Sequence, residues 1–530
     1  MRIKDFLQLV FRKTGSTCCE EHCLQRKFKD SEIKEALDTG VIIQRFINNE
    51  SFFTLKEIYD MESDLANRII NHHFALNPKF ENISDETVMK LIGQYEILEG
   101  QRLGCAFLLD KWQIEGVLNA VKKNLMILTG GPGTGKTCVL KCIDYCLRNM
   151  AGGFVKEIFY CAPTGKASRR IREAIGRNAM TLQKKIGMRE KNKEPKAIYG
   201  DCLIVDEVSF LDLETAWALF KAIQPDMKLI LVGDVEQLPS VGAGAVLRDM
   251  IDSKAISVTE LEEPQRQGQN TILYQNISAI RKGSAFLHEG DDFSIYNVSP
   301  KENTQQKIVD IYMKKLKKYG PDAIVCLTPY RRVGFTCAEI LNETLQRRVN
   351  GGDRPYIEAT IVGQDTDDKY STRVVRFKEG DPVMQLENCD EIANGDTGRI
   401  VKVDMSHRTV TVEYEDCIVT YEEKDLNQLT LAYAMSVHKS QGSEYDCVIS
   451  AFLPEHKRML NRNLIYTAVT RAKKEVNAVM DLETVRNALK IEVGYERATM
   501  LTHLIRDAYT KRCIIASAAA FNIQKSVRFF

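Results

Sequence analysis

The chain has 530 residues, 44% hydrophobic, 27% charged and 8% aromatic, enough for about three or four domains at roughly 150 residues each. Its 73 Lys and Arg balance 72 Asp and Glu, which excludes binding to polyanions through bulk charge and requires any nucleic-acid surface to be a local patch. A mean hydropathy of −0.25 with mixed charges excludes a disordered or fibrous chain, and no apolar run reaches the roughly 18 residues of a membrane span. The opening Met1–Lys13 has too short an apolar stretch for a signal peptide and no small-residue cleavage site. Fifteen scattered Cys read as reduced thiols of a cytoplasmic protein.

In chain order, the first 100 residues read as mostly helical. Ser31–Gly40 predicts a helix ending at its glycine, and Val41–Phe46 and Ser51–Lys56 flank Asn48-Asn49-Glu50 as a hairpin. Helix followed by hairpin is the tail of a winged-helix-like module. From about residue 124, apolar runs alternate with helical patterns: 124–130, 157–164, 201–207 and 228–234, then, after a pause near 285–320, 323–329, 430–436 and 446–452. Such runs predict buried parallel strands with crossover helices, arranged as two α/β domains. Between them, residues 370–428 alternate apolar and polar positions, with turn signals at Glu379-Gly380-Asp381 and Asn394-Gly395-Asp396. Short antiparallel strands at this spacing predict a small inserted β-barrel. There is no 20–50-residue repeat and no Pro- or Ser/Gly-rich linker.

The segment Gly130-Gly131-Pro132-Gly133-Thr134-Gly135-Lys136-Thr137 follows one predicted strand and opens a helix. That is a phosphate-binding loop in its required context: glycines let backbone N–H groups surround phosphates, and the helix N-terminus adds favourable partial charge. Lys136 is expected to reach the β- and γ-phosphates and the Thr137 hydroxyl to hold Mg²⁺. Asp206 and Glu207 end the run 201–207; we assign Asp206 to the metal and Glu207 to accepting a proton from an attacking water. A third polar strand tip follows at Gly233-Asp234-Val235-Glu236-Gln237-Leu238-Pro239.

Together these segments resemble superfamily 1 helicases, specifically their RecD-like branch, from about residue 54 to 500. Ala162-Pro163-Thr164-Gly165-Lys166-Ala167 is similar to the family's strand-contacting motif. Val232–Gly244 is similar to the motif that couples γ-phosphate sensing to DNA, and Pro264-Gln265-Arg266-Gln267 to the arginine motif. Ser436–Glu444 and Tyr466–Ala472 are similar to motifs of the second motor domain. The resemblance implies that Gln113 reads adenine and that Gly131, Pro132, Gly133, Thr134, Gly135, Lys136, Thr137 and Glu444 hold ATP. Gln237 would orient water or report hydrolysis, and Arg266 and Arg471 would stabilise transition-state charge, one from each motor half. Thr164, Lys166, His438 and Lys439 would lie against the nucleic-acid strand. One departure stands out: where the family often has Thr-Ile-His, this chain has Thr181-Leu182-Gln183.

From Lys166 to Lys196, eleven Lys and Arg face three acidic residues, the local basic stripe that phosphate tracking needs. Cys18-Cys19, His22-Cys23 and His72-His73 lack the separated pairs of a zinc site, so Mg²⁺ with the nucleotide is the only metal expected.

The expected architecture is α/β: a helical, winged-helix-like module over 1–100 and a first RecA-like motor over 101–268, with a short pin-like insertion at about 187–200. A second RecA-like motor would take 269–369 and 429–530, and an SH3-like barrel 370–428. The resemblance implies a DNA helicase that moves 5′ to 3′ with ATP in the cleft between the motors. Its partners would be single-stranded DNA and duplex junctions, and the N-terminal module could hold a protein partner. An RNA helicase of the same superfamily and a translocating subunit of a larger complex remain the alternatives. Repair, recombination, replication and mobile-element transfer all remain open as pathways.

Overall fold

The computed structural model describes residues 2–150, 155–188, 194–262, 271–298, 303–364, 370–389, 392–491 and 497–527. The chain divides into two compact units, one comprising 1–163, 168–266 and 493–530, the other 164–167 and 267–492.

The first unit begins with α1 (Ile3–Thr14), β1 (Cys19–Glu20), α2 (Glu21–Gln25), α3 (Asp30–Asp38), β2 (Ile42–Ile47) and β3 (Glu50–Leu55). The three strands form one antiparallel sheet in the order β1-β3-β2. Asn48 and Asn49 both take positive φ (49° and 68°), the conformation a two-residue hairpin turn needs and Asn tolerates. The helices α4 (Lys56–Phe74), α5 (Asp85–Leu103) and α6 (Lys111–Lys122) follow. Ser84 caps α5, accepting from Thr87 N at 3.2 Å, and Gly104 closes it at φ 71°, satisfying backbone groups that a helix end would otherwise expose.

The α/β core is β4 (Leu125–Gly130), α7 (Lys136–Asn149), β5 (Ile158–Ala162), α8 (Gly165–Ile175), β6 (Ala179–Thr181), α9 (Leu182–Ile186), β7 (Cys202–Val205), α10 (Leu213–Ala222), β8 (Lys228–Gly233), α11 (Val246–Ser253) and β9 (Ser257–Leu261). Its six strands run parallel in the order β6-β5-β7-β8-β4-β9. Leu125 to Leu128 and Cys202 to Val205 have no exposed surface, as central strands covered on both faces must. Strands β6 and β9 lack a continuous apolar run, so the sequence pattern does not announce them.

The second unit contains α12 (Ile272–Arg281), β10 (Phe293–Asn297), α13 (Thr304–Tyr319), β11 (Ile324–Thr328) and α14 (Ala338–Val349). Next come β12 (Tyr356–Gln364), β13 (Tyr370–Lys378), β14 (Pro382–Gln385), β15 (Thr397–Asp404), β16 (Thr409–Glu413), β17 (Ile418–Glu422) and β18 (Leu429–Leu431). The last elements are β19 (Ala434–Ser436), β20 (Tyr445–Phe452), α15 (Arg462–Val469), β21 (Ala472–Met480) and α16 (Leu482–Ala488). A five-stranded parallel sheet runs β10-β21-β20-β11-β19. Strand β21 carries charge because Glu475, 1% exposed, meets Lys318 (3.0 Å), Lys315 and the Tyr319 hydroxyl. Burial pushes this carboxyl up, but those donors outweigh it and hold it at about 2.

The alternating region differs from expectation at both margins. Strand β13 pairs with β12, which precedes residue 370, as a separate two-stranded sheet. The five-stranded antiparallel sheet, in the order β17-β16-β15-β14-β18, takes its last strand from beyond 428. The run 430–436, expected as one strand, is therefore split between an antiparallel and a parallel sheet. Asn342 holds the break: its amide donates to Leu431 O (2.8 Å) and Ala434 O (2.9 Å), and its oxygen accepts from Ala434 N (2.7 Å).

The C-terminal boundary also needs correction. Residues 429–530 were expected in the second motor, yet α17 (Leu501–Val527) belongs to the first unit. Leu501, Ile505 and Ala508 recur at helical spacing and are buried in one cluster with Leu65 and Ile69 of α4 and Met250 of α11. One apolar stripe had to find a partner face, and periodicity cannot say which. Among the described residues no helix is long and apolar enough to cross a membrane.

Candidate functional site

Thr164 and Lys166, which follow β5, fall in the second unit; in the first unit the consecutive carboxyl ends of the parallel strands β4, β8 and β7 carry candidate residues. This is where open α/β sheets bind ligands, because loops diverge there and helix N-termini point inward. After β4, Gly133 and Gly135 adopt φ 80° and 88°, left-handed conformations that cost glycine nothing. Thr134 stays buried, and its hydroxyl donates to Gly131 O at 2.9 Å. Gly130 is packed too tightly for a side chain: a Cβ there would meet the Thr134 hydroxyl at 2.8 Å and Leu261 at 3.0 Å. Pro132 lies half-buried in the turn. Lys136 opens α7, and its Nζ donates to Gly131 O (2.8 Å) and Gly130 O. Thr137, in the first turn, is exposed.

Gln113 is 1% exposed. It forms a capping box with Asp110, whose carboxylate accepts from Gln113 N at 2.8 Å while Gln113 Oε1 accepts from Asp110 N at 3.2 Å. Its amide also donates to Thr134 O at 3.1 Å, tying the start of α6 to the glycine loop.

Asp206 and Glu207 follow β7, and Glu207 takes φ 55°, a conformation uncommon for a residue with a side chain. Asp206 Oδ1 accepts from Glu207 N at 2.8 Å, and Arg170 of α8 stands 3.9 Å from Glu207 Oε1. Asp234 and Gln237, after β8, are 2% and 6% exposed. Asp234 accepts from Glu236 N at 3.0 Å and from the Gln237 amide at 3.4 Å. Burial pushes the Lys136 ammonium down, while Asp234, Glu207 and Asp206 attract it and push it back up. Burial and then the charge of Glu207 raise Asp206. One ammonium thus faces three carboxylates drawn from neighbouring strand ends. A cationic group and oxygen donors held at a helix N-terminus suit a polyphosphate with a hard divalent cation.

The strand-contact candidates Thr164 and Lys166 follow β5 at the start of α8, and the Thr164 hydroxyl accepts from Ala167 N at 3.2 Å. The basic stripe is not one open face, since Arg177 pairs with buried Asp144 at 3.4 Å. In the pin-like segment 187–200, residues 189–193 lie outside the described residues; its flanks are tethered by Lys196 N donating to Ile186 O at 2.8 Å. Arg266 also lies outside the described residues.

In the second unit, Glu444 and Arg471 immediately precede β20 and β21, whose first residues Tyr445 and Ala472 pair in register. The two side chains therefore share the amino-terminal edge of that sheet. Arg471 is 3% exposed, and its guanidinium donates to Thr467 O (3.1 Å) and Ser443 O (3.3 Å). Glu444 lies 3.8 Å from Lys473. His438 and Lys439 sit past the carboxyl end of β19, on the opposite edge. Lys439 donates to Asn394 Oδ1 at 2.7 Å, and burial followed by the charge of Arg331, just after β11, lowers its pKa. A cavity of about 480 Å³ beside α14 is lined by Arg331, Arg373 and Glu339. There Arg373 is already paired with Glu339 (2.8 Å) and Glu343 (2.5 Å), which marks a structural network.

Sequence reasoning passed over Asp234, Arg170 and Arg331 as site residues. Asp234 carried the same signal as Asp206, a carboxylate at the tip of an apolar strand, and Arg331 likewise follows a predicted strand. Arg170 had only its place in the stripe.

The family described as an AAA domain matches residues 113–243, and a UvrD-like helicase C-terminal domain matches 431–479. The ATP-dependent RecD2 DNA helicase of Deinococcus radiodurans is 33% identical over 66% of this chain and 46% of its own length, so the chain spans under half of that relative. The RecBCD enzyme subunit RecD of Mycolicibacterium smegmatis is 30% identical over 73% of this chain and 74% of its own. A solved structure of Pif1 helicases at forked dsDNA aligns over 72% of this chain and 94% of its own, with 17% identity and a TM-score of 0.46.

Proposed function

We propose that this chain, which belongs to the RecD-like family of superfamily 1 helicases, is an ATP-driven motor that moves 5′ to 3′ on single-stranded DNA and unwinds duplex DNA. The observation that carries the ATP part is the glycine loop, with Gly133 and Gly135 at positive φ, that opens α7 at Lys136 while Asp206, Glu207 and Asp234 follow the neighbouring parallel strands β7 and β8. The DNA part and its polarity rest on family membership.

Within this reading, the glycine loop and Lys136 bind the β- and γ-phosphates, while Gln113 contacts adenine and Glu444 completes the nucleotide contacts. Thr137 and Asp206 would hold Mg²⁺, whose chemistry is to neutralise charge on the phosphate oxygens. Glu207 accepts the proton of the attacking water, and Gln237 orients that water. Arg471 and Arg266 stabilise the negative charge that spreads over the γ-phosphate oxygens, which preorganised cations do without reorganising at the moment of reaction. Thr164, Lys166, His438 and Lys439 grip the nucleic-acid backbone. The five-stranded antiparallel sheet formed by strands between 382 and 431 serves as an SH3-like barrel, the N-terminal helix and hairpin as a winged-helix-like module that holds a protein partner, and 187–200 as a short pin at DNA junctions. We place the protein in the cytoplasm.

A second reading, a translocating subunit of a larger complex, is favoured by the relatives that are RecD subunits of the RecBCD enzyme. ATPase rates with and without single-stranded DNA, followed by unwinding of 5′- and 3′-tailed duplexes, separate the two. Stimulation with unwinding from the 5′ tail is expected. Stimulation without unwinding selects the subunit reading, and stronger stimulation by poly-ribo strands selects an RNA helicase. Absence of any ATPase would sink all three.

A further inference from the structure

Arg497, on the segment leading into α17, fills the inside of the loop that follows Gln237. Its Nη1 donates to Gly244 O (2.8 Å), Gly242 O (2.9 Å) and Ser240 Oγ (3.2 Å), and its Nη2 donates to Ser240 O (2.7 Å). A loop wrapped around a guanidinium through its carbonyls is held by charge-assisted bonds, about twice as strong as neutral ones. Asp212, the cap of α10, adds electrostatic attraction to the same guanidinium.

The segment after α1 and the one before α17 meet here. Gly244 N donates to Gly15 O at 2.8 Å, Thr17 N to Ala498 O at 2.9 Å, and Ala498 N to Ser16 Oγ at 3.2 Å. Leu213 N donates to Ala243 O at 2.8 Å. The packing leaves no slack: a Cβ on Gly15 would stand 2.6 Å from Arg497 Cζ, and one on Gly242 would stand 2.2 Å from Asp212 Oδ2. Only Val241, at the loop's apex, faces outward, with 84% of its surface exposed. The loop therefore has a backbone clamped from three sides, buried Gln237 at its start and one projecting apolar side chain.

Resting on the reading of 232–244 as the segment that links phosphate to DNA, we propose that Arg497 is a positioning residue for this loop. Through it, the segments 15–17 and 497–498 set how strongly single-stranded DNA accelerates ATP turnover. Arg497 acts through the loop's carbonyls, by fixing where Gln237 and Val241 stand. Lys in its place offers one ammonium where the guanidinium reaches carbonyls on both sides of Val241.

The test compares wild type, Arg497→Ala, Arg497→Lys and Thr502→Val in the full chain. Thr502→Val loosens α17 from Asp249 (2.8 Å) while leaving the guanidinium in place, and so controls for mere loss of stability. Expected for Arg497→Ala are at least tenfold faster amide exchange across 240–245, at least tenfold lower DNA-stimulated kcat, and a KM for ATP within twofold of wild type. Arg497→Lys should fall between. Unchanged exchange in the loop, or the same kcat loss in Thr502→Val at matched Tm, would overturn the proposal. A wild type with no DNA-stimulated ATPase sinks the parent reading instead, and loop exchange then still decides whether Arg497 positions the loop.

Discussion

Glu207 holds φ 55°, a conformation that costs a residue with a side chain roughly 1–3 kcal/mol and persists where the surroundings enforce it. Here the Asp206 carboxylate accepts from its N–H and Arg170 stands near its tip, so the strain aims the second carboxylate. Glu207→Gln keeps the shape and removes the proposed proton acceptor. Nucleotide affinity should stay within about threefold while turnover falls about 10²–10⁴-fold; equal turnover would refute the role as base. Lys136→Ala removes the ammonium that opens α7 behind the glycine loop. Nucleotide binding measured by calorimetry should weaken by at least about 100-fold, the scale of a lost charge-assisted contact of roughly 3 kcal/mol. These residues were legible because a strand–glycine loop–helix pattern is local. The capping box that ties Gln113 to Asp110 and the glycine loop was not, since it depends on where α6 meets Thr134.

The docking of α17 depends on two buried carboxyls. Glu62 of α4, 1% exposed, is pushed up to about 8 by burial and then by the charge of Asp249. Asp249 of α11, itself raised to about 7 by burial, accepts from Thr499 and Thr502 at 2.8 Å. Both groups bind protons more tightly folded than unfolded, where carboxyls titrate near 4. Their contribution is complete below about pH 4 and is lost as pH rises through 7 to 8. The protein should therefore melt at higher temperature near pH 5.5 than near pH 8.5. Glu62→Gln, which stays neutral, should gain about 1–2 kcal/mol at pH 8.5 and little at pH 5.5, at about 1.4 kcal/mol per pKa unit after solvent relaxation. A variant with the wild-type pH dependence of Tm would remove Glu62 from this account.

A nearly neutral chain can grip DNA only locally, so single-strand binding should fall steeply with salt, with each phosphate contact contributing a slope of about 0.7 in log K against log salt. Lys439→Ala should lower that slope by about 0.7 and weaken binding to all sequences alike. An unchanged slope in a salt titration would take Lys439 off the strand. Unwinding should require a 5′ tail, and unwinding only from a 3′ tail would reverse the proposed polarity.

The motor strands β4, β5, β7, β8, β11 and β20, the phosphate loop and the paired carboxylates could be read directly, because each is a short-range pattern whose burial or φ requirement is written in consecutive residues. The hairpin at Asn48-Asn49 was legible for the same reason. What the linear order hid is which surfaces meet. Strands β6, β9, β10 and β21 are polar or interrupted and exist because a neighbouring strand offers a ladder and, for Glu475, compensating lysines. The stripe of α17 fits any apolar face, and it was the complementary surface of α4 and α11 that brought the C-terminus back to the first unit. Arg497 and Ser240 are separated by more than two hundred positions, and a guanidinium choosing among backbone carbonyls leaves no trace in side-chain identity.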